Sequence, residues 1–167
     1  MTVKNLKDLY LDQLVDLYSA CRQSLPIVTE LGRVAQRRNL IDALIDGNKG
    51  IARGMEAVGT ICSTHNIDPT TGYCYAMEGI LVEAKRQAIE GDFADEDAQD
   101  AAIIAQYQRM AHYAIASLGC LRNFANRLGF PDDTAILQES LDHTWNGDQR
   151  MTQIAEGSVN HAALDGQ

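Results

Sequence analysis

A chain of 167 residues fits one domain of about 100–200 residues and can bury roughly 70 % of its unfolded surface, so neither a disulfide nor a metal is needed to staple the fold. Lys and Arg number 14 against 23 Asp and Glu, a net charge of −9, and the largest basic cluster is the pair Arg37 and Arg38; no phosphate-binding footprint exists, and nucleic acid is excluded as an expected partner. The longest uninterrupted apolar run, residues 101–105, falls far short of the roughly 18 residues of a membrane span, and the opening MTVKNLKDLY has no signal-peptide hydrophobic stretch, so a cytoplasmic address without a membrane partner is expected.

Ala, Leu, Gln, Asp and Glu dominate while aromatics and β-branched runs are sparse, a composition that favours helix over sheet. From Val3 onward Leu6, Tyr10, Leu14, Leu17, Cys21 and Leu25 recur three or four residues apart and predict helix A. Pro26 would normally end it, yet the stripe resumes at Val28, Leu31 and Ala35, so the helix is expected to continue through a proline kink to about residue 36. Arg37 and Arg38 suit a helix C-terminus, and Asn39 with Asp42 resembles a cap that opens the next helix.

Helix B is predicted over residues 40–62, with Leu44, Ile51, Met55, Val58 and Cys62 on its apolar face. It carries Gly47, Gly50, Gly54 and Gly59, although an interior Gly costs about 1 kcal/mol relative to Ala. Either a neighbouring helix approaches closely there, or the glycines leave a void. Close approach is the expectation, because empty apolar space costs about 1 kcal/mol for each missing methyl-sized group, and Trp145, Met151, Met55 and Tyr107 are large enough to help fill the space.

Residues 63–72 (STHNIDPTTG) read as a loop and residues 75–90 as a shorter helix. Asp95, Glu96 and Asp97 suit the positive end of helix C, which should run to about Leu128; Gly129 and Pro131 supply a C-cap and a restart. Helix D follows over about residues 132–156. Residues 1–157 should form the bundle and residues 158–167 a frayed tail. The expected fold is all-α, a four-helix bundle with a short extra helix in the B–C crossover, the ferritin-like arrangement.

Ferritin-like bundles hold two irons on inward Glu residues and on a Glu-x-x-His pair from each of two helices, and no Glu-x-x-His occurs in this chain. Projected at about 100° per residue, the middle of helix A presents Cys21. Helix B presents Gly47 with Ile51, helix C presents Ala111 and Ala114 flanked by Tyr107 and Leu118, and helix D presents Thr144 with Gly147. Apart from one thiol, none offers a strong ligand to iron. The four cysteines Cys21, Cys62, Cys74 and Cys120 form no CxxC and are expected to be buried thiols. Without a G-x-S-x-G elbow, hydrolase chemistry has no anchor.

Several stretches together resemble the bacterial stress-associated ferritin-like proteins of the YciE/YciF type. KNLKDLYLDQLVDLYSACRQSLP is similar to the family's opening helix, and Tyr75-Ala76-Met77-Glu78-Gly79-Ile80, preceded by Cys74, is similar to its Ala-Met-Glu-Gly-Leu-Ile. DAAIIAQYQRMAHYAIASLGCLR and LQESLDHTWNGDQRMTQIA resemble its third and fourth long helices. The resemblance implies a homodimer and a di-iron site built on Glu residues. At the matching positions this chain carries Cys21, Gly47, Ala111, Ala114 and Thr144, with only Asp46 surviving as a carboxylate beside them.

The sequence therefore predicts a non-catalytic, structural or stress-associated bundle without metal or other cofactor. The alternatives are an iron or zinc protein using Cys21, Asp46, His112, His143 and Asp148, a binder of a small apolar ligand in the bundle centre, and an adaptor for a metal-bearing paralogue. His112 and His143 project beside their stripes, and Asp148, close to its stripe, should take a hydrogen bond from Tyr10, Tyr18 or Tyr107. Glu78 is expected to serve the dipole of the short helix.

Overall fold

The computed structural model describes residues 3–164. Four long helices make the molecule: α1 (Leu6–Val34), α2 (Arg38–Thr64), α4 (Glu96–Leu128) and α5 (Pro131–Ile154). A short helix α3 (Tyr75–Ala84) lies in the crossover between α2 and α4 and ends in a wide turn, Lys85–Ile89. The α1–α2 and α4–α5 pairs are antiparallel hairpins that pack against each other, α1 on α4 and α2 on α5. This is the expected all-α bundle with one long crossover. Among the described residues no helix is long and apolar enough to cross a membrane.

Local chemistry explains most boundaries. Asn5 caps α1 by accepting from the Asp8 N–H at 2.9 Å. Pro26 sits inside α1 on its exposed side, so the carbonyl that it leaves without a donor, that of exposed Arg22, faces water. Asp95 caps α4 through the N–H groups of Asp97 and Ala98, and Gly129, at φ 75°, closes it in the left-handed conformation. Pro131 then opens α5 at a position where its missing N–H costs nothing.

The start of α2 departs from the Asn39 cap. Helix α2 begins at Arg38, and Asn39 only accepts from the neighbouring Leu40 N–H. The fully buried Asp100 of α4 does the capping instead: its two carboxylate oxygens accept from the N–H groups of Gln36 and Arg37, both at 2.9 Å. Arg37 turns back to Asp97 at 2.6 Å, so the α1–α2 turn is pinned to the first turn of α4.

The segment from residue 158, expected as a frayed tail, is helical as far as residue 164. A wide turn, Ala155–Val159, leads into α6 (Asn160–Leu164), and Val159 is fully buried. That side chain fills the end of the core, which gives the segment a reason to stay helical. The remainder of the proposed tail, residues 165–167, lies outside the described residues.

The core falls into two clusters. One, with Leu31, Leu40, Leu44, Ile103, Met110 and Met151, lies at the α1–α2 turn end. The other, with Tyr10, Leu14, Val58, Ile61, Leu121 and Leu137, lies at the α4–α5 turn end. The level between them is where the small residues face each other.

Candidate functional site

A cavity of about 390 Å³ opens at that level. Helices α1 and α4 form its floor with Leu17, Ala20, Cys21, Tyr107, Ala111 and Ala114, and α2 and α5 form its sides. On α2 the lining residues Ala43, Gly47, Gly50, Gly54 and Ala57 recur at three and four residues, a helical stripe with almost no side-chain volume. The mouth lies between α2 and α5, where Asp46, Arg53, Glu139, His143 and Arg150 are exposed.

All five family-matching positions, Cys21, Gly47, Ala111, Ala114 and Thr144, line this one cavity. The proposed fallback ligands do not come together. Cys21 is on the floor, while Asp46 and His143 stand at the mouth. Asp46 is tied to Arg150 at 2.8 Å and faces Lys49 at 3.7 Å; the Arg150 hydrogen bond, with Lys49 assisting, holds its carboxyl below the usual range. His112 and Asp148 pair with each other at 3.2 Å and neither lines the cavity. Among the described residues, no group of three or more His, Cys, Asp and Glu side chains could hold a metal ion. The donors present do not fit a di-iron centre, which needs converging oxygen and imidazole ligands.

The glycines divide between the two explanations. A Cβ at Gly47 would lie 2.9 Å from Cζ of Tyr107 and closer still to its hydroxyl, and one at Gly59 would lie 3.4 Å from the Tyr18 ring. Close approach is therefore real at these two, made by tyrosine rings. At Gly54 a Cβ would meet nothing within 4 Å, and at Gly50 only the tip of Arg53 at 3.9 Å. These two face open space, which corrects the expectation of close helix contact throughout. Of the four large residues expected to fill the centre, Tyr107 alone lines the cavity; Trp145 is 42 % exposed and set edge-on to His112, and Met151 and Met55 lie elsewhere.

Electrostatically the cavity is quiet. Burial pushes the Cys21 thiol up to about 12, the neighbouring Cys74 adding to the effect, so Cys21 is a neutral packing group. Burial, and secondarily the Asp148 carboxylate, raise the Tyr107 phenol to about 12. Asp148 does not take the tyrosine hydrogen bond expected of it. Its Oδ2 meets His112 and its Oδ1 is buried without a partner.

Two polar clusters outside the cavity were not foreseen, because their members are far apart in sequence. Tyr10 donates to Asp133 at 2.8 Å, and His65 meets the same oxygen at 2.7 Å beside the Phe130 ring, which joins the ends of α1, α2 and α5. Tyr113 donates to Asp16 at 2.7 Å and contacts the Cys74 sulfur at 3.0 Å. Both clusters tie helices together. Glu78, in the first turn of α3 as expected, accepts from Tyr73 at 2.7 Å. The cavity itself was legible in part: the three- and four-residue spacing of Ala43, Gly47, Gly50, Gly54 and Ala57 is the signal that marks it.

Residues 5–164 match the family described as a domain of unknown function, DUF892. The chain is 31 % identical to protein YciF of Escherichia coli K12 over 166 residues, 98 % of each sequence. The crystal structure of the E. coli stress protein YciF superposes with a TM-score of 0.88 at 30 % identity, covering 95 % of this chain and 99 % of that one. YcfI of Rhodopseudomonas palustris, described as a candidate structural protein, superposes with a TM-score of 0.86 at 27 % identity, covering 92 % and 96 %.

Proposed function

This chain belongs to the DUF892 family, and from that premise we propose that it is a non-catalytic, stress-associated bundle of the ferritin-like type whose central metal position carries no metal. One observation supports the proposal above the others. The five positions that the family resemblance gives to metal-binding carboxylates meet in one cavity, and their side chains are a neutral thiol, a hydrogen, two methyls and a hydroxyl. The Thr144 hydroxyl is already donated to the Ser140 carbonyl at 2.8 Å. Of the two carboxylates that line the cavity, Asp46 is turned to Arg150 and both stand at the mouth. An iron or zinc oxidase would need several anionic or imidazole donors at one point, and none converge among the described residues. A relative named as a stress protein and another described as structural support the role.

Cytoplasmic location and a homodimer belong to the same proposal. Tyr73, Tyr75 and Val82, exposed by 46, 77 and 61 % on and beside α3, offer apolar surface for the second copy. The test is metal content per chain by mass spectrometry, on protein purified without chelator from iron- and zinc-supplemented cells. A value well below one supports the proposal. A reproducible one or two overturns it.

A further inference from the structure

The central cavity is larger than the voids of a packed protein interior, and its inner walls are largely apolar. Its volume of about 390 Å³ lies within the range of about 300–1,000 Å³ typical of ligand pockets. At the packing density of about 0.74 found in protein interiors it takes a guest of roughly 15 non-hydrogen atoms or fewer. The walls are Leu17, Ile51, Met110 and Leu118 together with the glycine and alanine positions. Methionine and leucine side chains adapt to an aromatic or alicyclic shape.

The charged side chains stand at the mouth, and one polar group on the floor is the phenol of Tyr107. Tyr107 is only 7 % exposed and lines the cavity, with its hydroxyl 3.6 Å from where a Cβ of Gly147 would stand. Among the described residues that hydroxyl makes no hydrogen bond, so it is open to a partner that enters the cavity. Two other hydroxyls on the walls are engaged, Ser24 donating to the Ala20 carbonyl at 2.8 Å and Thr144 to that of Ser140, while the half-buried Ser140 hydroxyl is, among the described residues, also without a partner.

The rim argues against an ion. Asp46 and Arg150 neutralise each other, and Arg53 and Glu139 contribute one charge of each sign. No net field selects an anion or a cation. On the α2 and α5 sides Gly50, Gly54 and Gly147 line the cavity without side chains.

We propose that this cavity binds a neutral aromatic or alicyclic molecule with one hydroxyl or carbonyl oxygen, which hydrogen-bonds to the Tyr107 hydroxyl while the rest of the guest fills the space beside Gly50 and Gly54. The proposal deepens the metal-free reading of the same cavity, and the two fail separately, one by metal content and the other by probe binding.

The probes are 2-naphthol and naphthalene, titrated into the full chain and followed calorimetrically and by probe fluorescence. Both should bind saturably at one site per chain, 2-naphthol the more tightly. Tyr107→Phe should weaken 2-naphthol about threefold to tenfold, the worth of one net hydrogen bond, and leave naphthalene unchanged. Gly54→Leu, placed where a Cβ meets nothing, should abolish binding of both. Ala114→Leu, from the opposite wall, makes the same test should the first variant not fold. No saturable binding by metal-free wild type overturns the proposal. So does full binding in a folded cavity-filled variant, or an equal loss of both probes in Tyr107→Phe.

Discussion

Two glycines seven residues apart on α2 give the sharpest test of how the centre is packed. Both are helical, so Gly→Ala at either should gain about 0.8–1.0 kcal/mol from backbone entropy and propensity. At Gly54 nothing opposes that gain, since the new methyl meets no atom within 4 Å. Gly54→Ala should raise the melting temperature by about 2–4 °C, the shift expected per kcal/mol for a chain of this size. At Gly47 the methyl would stand 2.9 Å from Cζ and 3.1 Å from Cε2 of Tyr107, tighter than any relaxed contact. Overpacking costs about 1–3 kcal/mol, so Gly47→Ala should end between neutral and about 2 kcal/mol destabilised. Urea titration and thermal melts followed by circular dichroism measure both. In a Tyr107→Leu background the clash is gone, and Gly47→Ala should become stabilising; this cycle separates contact from propensity. Gly47→Ala as stabilising as Gly54→Ala in wild type would mean that Tyr107 is not wedged over Gly47. A penalty that survives Tyr107→Leu would place the obstacle elsewhere.

Asp100→Ala removes the carboxylate that accepts from the backbone N–H groups of Gln36 and Arg37 and leaves both without their acceptor; a loss of about 2–4 kcal/mol by urea titration is expected, and a loss below about 0.5 would show that the turn caps itself. Cys21, with its thiol raised to about 12 from 9, should react with iodoacetamide at pH 8 about 100- to 1,000-fold more slowly than exposed Cys120, as read by peptide mass spectrometry. The same shift sets a pH dependence. The protonated thiol is favoured in the folded state, so its contribution is intact below about pH 9 and falls as pH rises toward 12. Cys62, raised to about 11, acts in the same direction. Stability that is flat between pH 9 and 11 in wild type, or unchanged there by Cys21→Ala with Cys62→Ala, would contradict neutral thiols at these positions.

What the sequence showed and what it hid follow one division. The stripe from Leu6 through Leu31, the Asp95 cap and the Gly129–Pro131 break are local signals, and the helices begin and end within a few residues of where those signals put them. The α2 start was misread because its cap, Asp100, comes from 63 residues away, and Asn39 had only the right chemistry at the right spot. Val159 keeps the end of the chain helical through a tertiary contact that no end-of-chain rule foresees. At the site, projection placed Cys21, Gly47, Ala111 and Thr144 on one level, because helical periodicity is enough for that. It could not say which glycine meets a ring and which meets nothing. That depends on the rotamer of Tyr107, and a rotamer is chosen by the packed whole. The Asp148 partner failed for the same reason: three tyrosines were within sequence reason, and His112 was within reach.

The division of the core explains how such a centre is tolerated. Large buried side chains sit at both ends, Leu31, Leu40 and Ile103 at one and Tyr10, Leu14 and Leu137 at the other, and each end is further tied by a buried carboxylate, Asp100 and Asp133. Helices 24 to 33 residues long span both clusters, so their spacing in the middle is set from the ends. At the middle level the packing is uneven: Tyr107 is wedged against Gly47, while Gly50 and Gly54 face open space. Filling it with metal, with a guest or with a leucine should therefore change what the centre holds more than how the bundle is built. This makes Gly54→Leu a fair control for ligand binding: the helix that carries it is anchored by Leu40 and Leu44 before the cavity and by Val58 and Ile61 after it.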